Sequence, residues 1–497
     1  PGVPFDYNGD GRADLLNVST SGHWMVVPGT PGGLASPVFT GIAAWSPIDF
    51  RGADVNGDGL GDIVYSTTPD GSGLEIEVRV LYARTGGSFA TTPATLYNQG
   101  QYAGYGDALG GEFLGQPGRR IDLDGDGRED LLMNEVYSVA RISASEATSD
   151  GFEGSPDFLT PADVNGDGCT DLVYKHYAGR WRIRYSGCGG IYWVAPEVEG
   201  PSGPGGFPVV LDWNGDGRQD LLLRDASVWQ LLPSGGDRLL PIVNTGLAHG
   251  GANGAAVADV DGDGLDDLFA ATSVQARLRL HAGPHPDLLA SISDGFDVAA
   301  SFTYAPLTQP GVHERLTAAA YPQRDLQDGR PVVVALAITD GTGTGSTATL
   351  QFTYAGLRVD GQGRGELGFA RRTSTELVAG AALRSEHAWR QDFPFAGLPV
   401  SAILRQGSGR TVTERSWQYG QLTLGSGSAL RRHPYVTAAT ERVHEVGGLY
   451  DGVLHTHRAY TVAQLDANSG LPLDASWTTT EHGSGLNPGA SHTRRLW

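Results

Sequence analysis

Asp6-Tyr-Asn-Gly-Asp-Gly-Arg-Ala-Asp14 stands at the head of the chain, and the same nine-residue pattern returns five times. The later copies are Asp54-Val-Asn-Gly-Asp-Gly-Leu-Gly-Asp62, Asp122-Leu-Asp-Gly-Asp-Gly-Arg-Glu-Asp130, Asp163-Val-Asn-Gly-Asp-Gly-Cys-Thr-Asp171, Asp212-Trp-Asn-Gly-Asp-Gly-Arg-Gln-Asp220 and Asp259-Val-Asp-Gly-Asp-Gly-Leu-Asp-Asp267. Their starts lie 48, 68, 41, 49 and 47 residues apart, a period near fifty. That period predicts one four-stranded propeller blade per copy. The long second interval is assigned to extra residues in the polar, Gly-rich stretch 71–118. Each copy runs into an apolar pair: Leu15-Leu16, Ile63-Val64, Leu131-Leu132, Leu172-Val173, Leu221-Leu222 and Leu268-Phe269. Short runs ending at Gly follow, such as His23-Trp-Met-Val-Val-Pro-Gly29 and Arg180-Trp-Arg-Ile-Arg-Tyr-Ser-Gly187, and these predict strands rather than helices. The expected fold is all-β: a propeller over 1–285, with six blades favoured over seven, then a β-strand-rich region over 286–497.

The loops carry oxygen ligands at alternate positions. Asp6, Asp54, Asp122, Asp163, Asp212 and Asp259 stand first, and Asn8, Asn56, Asp124, Asn165, Asn214 and Asp261 third. Asp10, Asp58, Asp126, Asp167, Asp216 and Asp263 stand fifth, and Asp14, Asp62, Asp130, Asp171, Asp220 and Asp267 ninth. The seventh position varies (Arg12, Leu60, Arg128, Cys169, Arg218, Leu265), as expected where a backbone carbonyl is the ligand. Crowded carboxylates repel one another, and a hard dication accepting six to eight oxygens relieves that repulsion, so about six Ca²⁺ are expected. Gly at the fourth and sixth positions permits the backbone to wrap an ion. An EF-hand needs a Glu at the twelfth position. Here that position holds Asn17, Tyr65, Met133, Tyr174, Leu223 and Ala270, so neither an EF-hand nor a dockerin-like loop fits. A metal-free Asx turn would explain one such loop, but hardly six with one spacing.

The net charge is −21, and 20 carboxylates occupy ligand positions, so the acidity is stored mainly in the loops. This charge argues against a nucleic-acid partner. The longest apolar run, 332–338, is too short to span a bilayer. The chain lacks an initiator Met and is expected to be a piece of a longer protein. Cys169 and Cys188 fit either a disulfide in an oxidising compartment or two free thiols.

The six motifs resemble FG-GAP (VCBS-type) repeats, the calcium-loop blades of integrin α-subunit propellers. The second half adds Pro286-Asp-Leu-Leu-Ala-Ser-Ile-Ser-Asp-Gly295, then Ser301-Phe-Thr-Tyr-Ala-Pro-Leu307 and its echo Gln351-Phe-Thr-Tyr-Ala-Gly-Leu357. Asp360-Gly-Gln-Gly-Arg-Gly-Glu-Leu-Gly-Phe369 and Arg390-Gln-Asp-Phe-Pro-Phe-Ala-Gly-Leu-Pro399 follow. This succession resembles the region after the propeller in bacterial Rhs/YD-repeat toxins and in the B component of insecticidal toxin complexes (Tc toxins). A run of full Tyr-Asp repeats is not visible. The resemblance implies a noncatalytic, secreted virulence scaffold whose propeller closes or docks a strand-built shell around a toxic C-terminal cargo. Its implied partners are the rest of the shell, the cargo and a translocation component. The rival is a secreted or cell-surface adhesion or lectin module that binds proteins or glycans.

Catalytic constellations are not evident: the sequence contains no G-x-S-x-G, H-E-x-x-H or Walker loop. The Gly-rich run 361–365 is expected to be a turn. His455 and His457 would share one strand face, but no third metal ligand lies near them in sequence; Glu481-His482 is a similarly weak pair. Trp24, Trp181 and Trp229 follow metal loops and are expected in cores between blades rather than stacked on sugars. The stretch 373–391 is helix-like in composition but is expected to be a hairpin, because Ala379-Gly380 sits at its centre. No full strand is expected before Asp6, so a later segment, 276–280 or 298–304, should complete the first blade. The region after Pro286 should then pack rigidly on one propeller face.

Overall fold

The computed structural model describes residues 2–496 apart from 69–75, 99–112, 115–120, 123–127, 135–137, 143–146, 152–156, 177–178, 187–196, 250–253, 272–275, 283–284, 342–346, 361–363, 379–380, 426–429, 467–470, 483–488 and positions 32, 45, 46, 48, 287, 321, 408 and 448. Every described regular element is a strand. Five antiparallel sheets have four strands each. Blade 1 is Val3–Phe5, Asp14–Val18, His23–Val27 and Val38–Ala43; blade 2 is Asp49–Ala53, Asp62–Thr67, Glu77–Leu81 and Ala94–Asn98. Blade 3 comprises Phe113–Leu114, Leu131–Asn134, Ser138–Ile142 and Ala147–Gly151, and blade 4 Asp157–Ala162, Asp171–Lys175, Arg180–Arg184 and Val198–Ser202. Blade 5 holds Val209–Leu211, Asp220–Asp225, Val228–Leu232 and Val243–Ala248. A sixth sheet has three described strands, Gly254–Ala258, Asp267–Ala271 and Ala276–Arg279, so the expected set of six like blades becomes five of four strands and one of three.

The apolar pair at each second strand has a physical reason. Neighbouring residues of a strand point to opposite faces, and a blade is packed on both faces. Ile63 enters the core shared with blade 1, beside Leu16 and Trp24, while Val64 enters the next core with Val78 and Leu131. Leu172 and Val173 divide in the same way, as do Leu221 and Leu222. Each such buried side chain contributes about 1.5–3 kcal/mol relative to exposure. Trp24 and Trp181 are fully buried and Trp229 nearly so, all within these inter-blade cores. Their rings are closed to a glycan.

The expectation about ring closure is overturned. Val3–Phe5 precedes the first loop and pairs with Asp14–Val18, so blade 1 is completed by its own short first strand. Three residues suffice there because its side chains are all buried. Ala276–Arg279 belongs to the sixth sheet, and Ala299–Pro306 to the second half. Closure uses a hydrogen bond instead: Ala13 N–H donates to the Asp259 carbonyl at 2.9 Å.

The second half is one antiparallel meander of twelve successive strands, from Ser291–Ser293 to Ser491–Leu496. Within the stretch 373–391, residues 373–378 and 381–389 lie in the hairpin Gly365–Val378/Ala381–Trp389, as expected. The Phe-Thr-Tyr-Ala echoes fall in strands Ala299–Pro306 and Thr347–Asp360, separated by Pro331–Thr339. Between Pro306 and Pro331, which face each other across the ladder, the chain makes an excursion, 307–330. Its short strands His313–Glu314 and Gln323–Leu326 both pair with Thr347–Asp360. This tongue reaches the loop face of the propeller, in keeping with the expected packing.

Candidate metal centres

Each motif joins the first strand of its blade to the second, and the same hydrogen bonds recur in loop after loop. In the first, Asp6 accepts Gly9 N–H at 2.6 Å on one oxygen and Gly11 N–H at 2.9 Å on the other. Asn8 accepts Asp10 N–H at 2.9 Å, and Asp10 accepts Arg12 N–H at 2.9 Å. The fourth, fifth and sixth loops repeat all four contacts. Gly9 and Gly11 have φ of 72° and 82°, and their counterparts in the second, fourth, fifth and sixth loops lie between 72° and 88°. Glycine adopts this conformation without Cβ strain. In the third loop, Asp124 and Asp126 lie outside the described residues, while Asp122, Arg128 and Asp130 lie within them.

The ninth carboxylate pins the loop to its blade. Asp171 accepts Val164 N–H at 3.2 Å and Ser186 N–H, beyond the third strand, at 2.8 Å. Asp14, Asp220 and Asp267 do the same with their own blades. All six ninth carboxylates are at most 2% exposed. The seventh position is less idle than its variability implied: Leu60, Cys169 and Leu265 are buried, and the Arg12 guanidinium reaches the carbonyls of Asp261 and Thr308. Arg218 pairs with Asp216 of its own loop.

Burial and neighbouring carboxylates push these acids upward. Asp6 rises to about 7, by burial and then by Asp10. Asp14 rises to about 8 by burial, and Asp259 to about 8 by burial and Asp263. In the sixth loop, one oxygen each of Asp259, Asp261 and Asp267 lie within 4.8 Å of one another. A donor set this close, made of three carboxylates, fits a hard divalent cation.

The eighth position was missed in the sequence. Its N–H donates to the first Asp carbonyl of the preceding loop: Gly61 to Asp6 (2.7 Å), Glu129 to Asp54 (3.0 Å), Thr170 to Asp122 (3.4 Å) and Gln219 to Asp163 (2.8 Å). The Glu129, Thr170, Gln219 and Asp266 side chains return the bond by accepting the N–H of Asp54, Asp122, Asp163 and Asp212. The recurrence of acceptor side chains there was the available signal. Also unforeseen were Arg315, which donates to the Asn8 and Gly59 carbonyls, and Arg324, 3.0 Å from Asp54. Nothing in the motif points to residues more than 250 positions away.

Other candidates are not gathered into sites. His455 pairs with Glu445 at 2.9 Å, and among the described residues the one group of three His, Cys, Asp or Glu side chains close enough to share a metal ion is that of the sixth loop. His482 N–H donates to the His455 carbonyl at 2.7 Å, a strand contact. Positions 361–363 lie outside the described residues; Asp360 and Gly365 on either side are a ladder pair, as a hairpin requires. Cys169 is disulfide-bonded, and Cys188, the other cysteine of the chain, lies outside the described residues. Among the described residues no helix is long and apolar enough to cross a membrane.

The region that joins blade to sheet decides the comparison. Residues 251–388 match the insecticide toxin TcdB middle/N-terminal region. This TcdB-like segment contains the sixth loop, the tongue and the first strands of the meander. Residues 212–270 match the FG-GAP-like repeat. Among solved structures, the Photorhabdus luminescens Tc holotoxin pore is similar with a TM-score of 0.63 at 15% identity, over 98% of this chain and 26% of that one. The TcdB2-TccC3-Cdc42 structure gives 0.60 at 14% identity, over 98% and 27%. TcdB2-TccC3-TEV gives 0.53 at 13%, over 96% and 30%. The likeness is one of fold, and the chain spans less than a third of each of these chains. No curated protein matches it.

Proposed function

We propose that this chain is the noncatalytic scaffold portion of a secreted Tc-like bacterial toxin component. A calcium-loaded propeller docks onto the first part of a β-wall that encloses a toxic cargo, and the rest of the shell, the cargo and a translocation component are its partners. The observation that carries this reading is the meander. Its strands Pro331–Thr339 and Pro399–Gln406 are half-buried at every position, neither core nor surface in character. Among the described residues its one apolar core, around Leu307, Val312 and Leu357, lies at the tongue. The accessible surface is 24537 Å², whereas a compact protein of 52.3 kDa would show about 17,500 Å². A single layer with two open faces suits the wall of a hollow body. An adhesion module has no use for such a wall, and the tryptophans that would have served a lectin are buried.

The test is electron microscopy of the complete gene product. The expected image is a closed hollow shell with the propeller at one end. A solid second layer packed along the meander would overturn the reading.

A further inference from the structure

The loops differ in what covers them. The fourth and fifth keep exposed tips, at Gly166, Asp167 and Gly168 and at Trp213 and Asn214, whereas the first, second and sixth lie against the tongue. Thr308 Oγ1 donates to the Gly262 carbonyl of the sixth loop. Arg315 spans the first and second loops, donating at 3.3 Å to both the Asn8 and Gly59 carbonyls, and is held by a 3.1 Å bond from its Nε to the Asp325 carbonyl. Arg324 goes further: its guanidinium forms a 3.0 Å ion pair with Asp54, the first ligand of the second loop. Asp54 is buried at 7% exposure and Arg324 half-buried at 15%. The Asp54 oxygen that takes Arg324 also accepts Gly59 N–H, and the other accepts Asp58 N–H, so the carboxylate is fully engaged. Beside Arg324, Asp325 is fixed by Arg358 at 2.8 Å and by Ala319 N–H at 2.8 Å, so the tongue presents its arginine from a braced strand. Among the described residues, Asp54 is the one expected calcium ligand ion-paired with a residue from outside the propeller.

We infer that Arg324 makes the second loop the weak calcium site of the ring and a calcium-sensitive latch between propeller and meander. This rests on the calcium reading of the loops. A guanidinium on one oxygen of Asp54 and a dication on the other are like charges separated by a single carboxylate, in a pocket that excludes most solvent. Each weakens the other. Coupling of this kind is reciprocal: if Arg324 lowers calcium affinity at the second loop, calcium there loosens Arg324 by the same factor. The fourth loop has no arginine at its seventh position and no tongue above it, and is the strong reference site.

The experiment uses the whole chain, calcium-stripped and titrated with CaCl₂ by calorimetry, with amide hydrogen exchange followed over 307–330. In the unaltered protein, calcium saturation speeds exchange at 323–326. Arg324→Gln tightens one site by about five- to tenfold, within the usual range of coupling between sites. It also leaves exchange at 323–326 fast and indifferent to calcium. Arg324→Lys, which keeps the charge, retains the weak site. An Arg324→Gln isotherm identical to that of the unaltered protein, or slower tongue exchange in calcium, overturns the latch while leaving the calcium reading standing. No calcium binding by any of the three proteins overturns both.

Discussion

At the residue scale, the loop carboxylates couple stability to pH and, on the proposed calcium reading, to the cation as well. Burial raises Asp14 and Asp259 to about 8, and Asp6 and Asp171 to about 7, from an ordinary value of 3.8. A carboxylate whose folded value lies above its unfolded one favours the fold below the unfolded value. That contribution is lost as pH rises through the folded value. The calcium-free propeller should therefore lose stability between about pH 4 and pH 8. On the proposed calcium reading the cation binds the ionised form, so its stabilising effect should grow over the same window. Melting temperatures of the stripped protein at pH 5 and pH 8, each with and without millimolar calcium, check this. The calcium-induced rise should be clearly larger at pH 8, and equal rises would contradict it.

At the scale of the element, a loop and its blade are held by two kinds of carboxylate. Asp171 is buried, with both oxygens engaged by backbone N–H groups across the blade. Asp167 sits at the exposed end, where one oxygen accepts Cys169 N–H and the other the Asn165 amide. Asp171→Asn turns one acceptor into a donor facing an N–H, and leaving a buried group unsatisfied costs about 1–3 kcal/mol. Urea unfolding should show this loss with calcium and without it. Asp167→Asn keeps an acceptor for Cys169 and gives up the charge and one solvent-exposed bond from Asn165, so most of its loss should appear only in calcium. Outer strands carry a second device that the motif did not announce. Thr40 and Thr245 hydroxyls donate to the Trp24 and Trp229 carbonyls and accept N–H from Ile42 and Leu247, next to glycines at φ 73° and 69°. The register shifts there, and a bulge on an outer strand discourages pairing with other chains.

For the whole molecule, the two halves differ in self-sufficiency. The propeller has an apolar core between each successive pair of blades from the first to the sixth. The meander has one apolar core among its described residues, beneath a tongue whose arginines find their partners on the propeller. Residues 286–497 produced alone should therefore bind a hydrophobic dye and melt without a sharp transition, because Arg315 and Arg324 lose their acceptors and the sheet keeps two open faces. The full chain, under the same calorimetric scan, should show a cooperative transition. A cooperative transition of the isolated region would make the meander an independent module and remove the reason for the tongue's docking.

The repeat, the strand character of the chain and the place of each loop are all legible in the linear chain. These are local properties: a paired glycine that must take positive φ, a carboxylate three residues from the N–H it accepts, and an apolar pair that must bury both faces all leave their marks within nine or ten residues. The hairpin at 373–391 was legible for the same reason, since Ala379-Gly380 interrupts a run that would otherwise suit a helix. The short strand Val3–Phe5 was not, because three residues have no period to detect. The closure of the ring from Ala13 to Asp259, and the grip of one loop's eighth position on the first of the loop before it, came from the folded arrangement. It alone brought Arg324 to Asp54 across 270 positions. Such contacts depend on how blades and tongue stack in space, and a chain reports its own neighbours far better than the partners that folding brings to it.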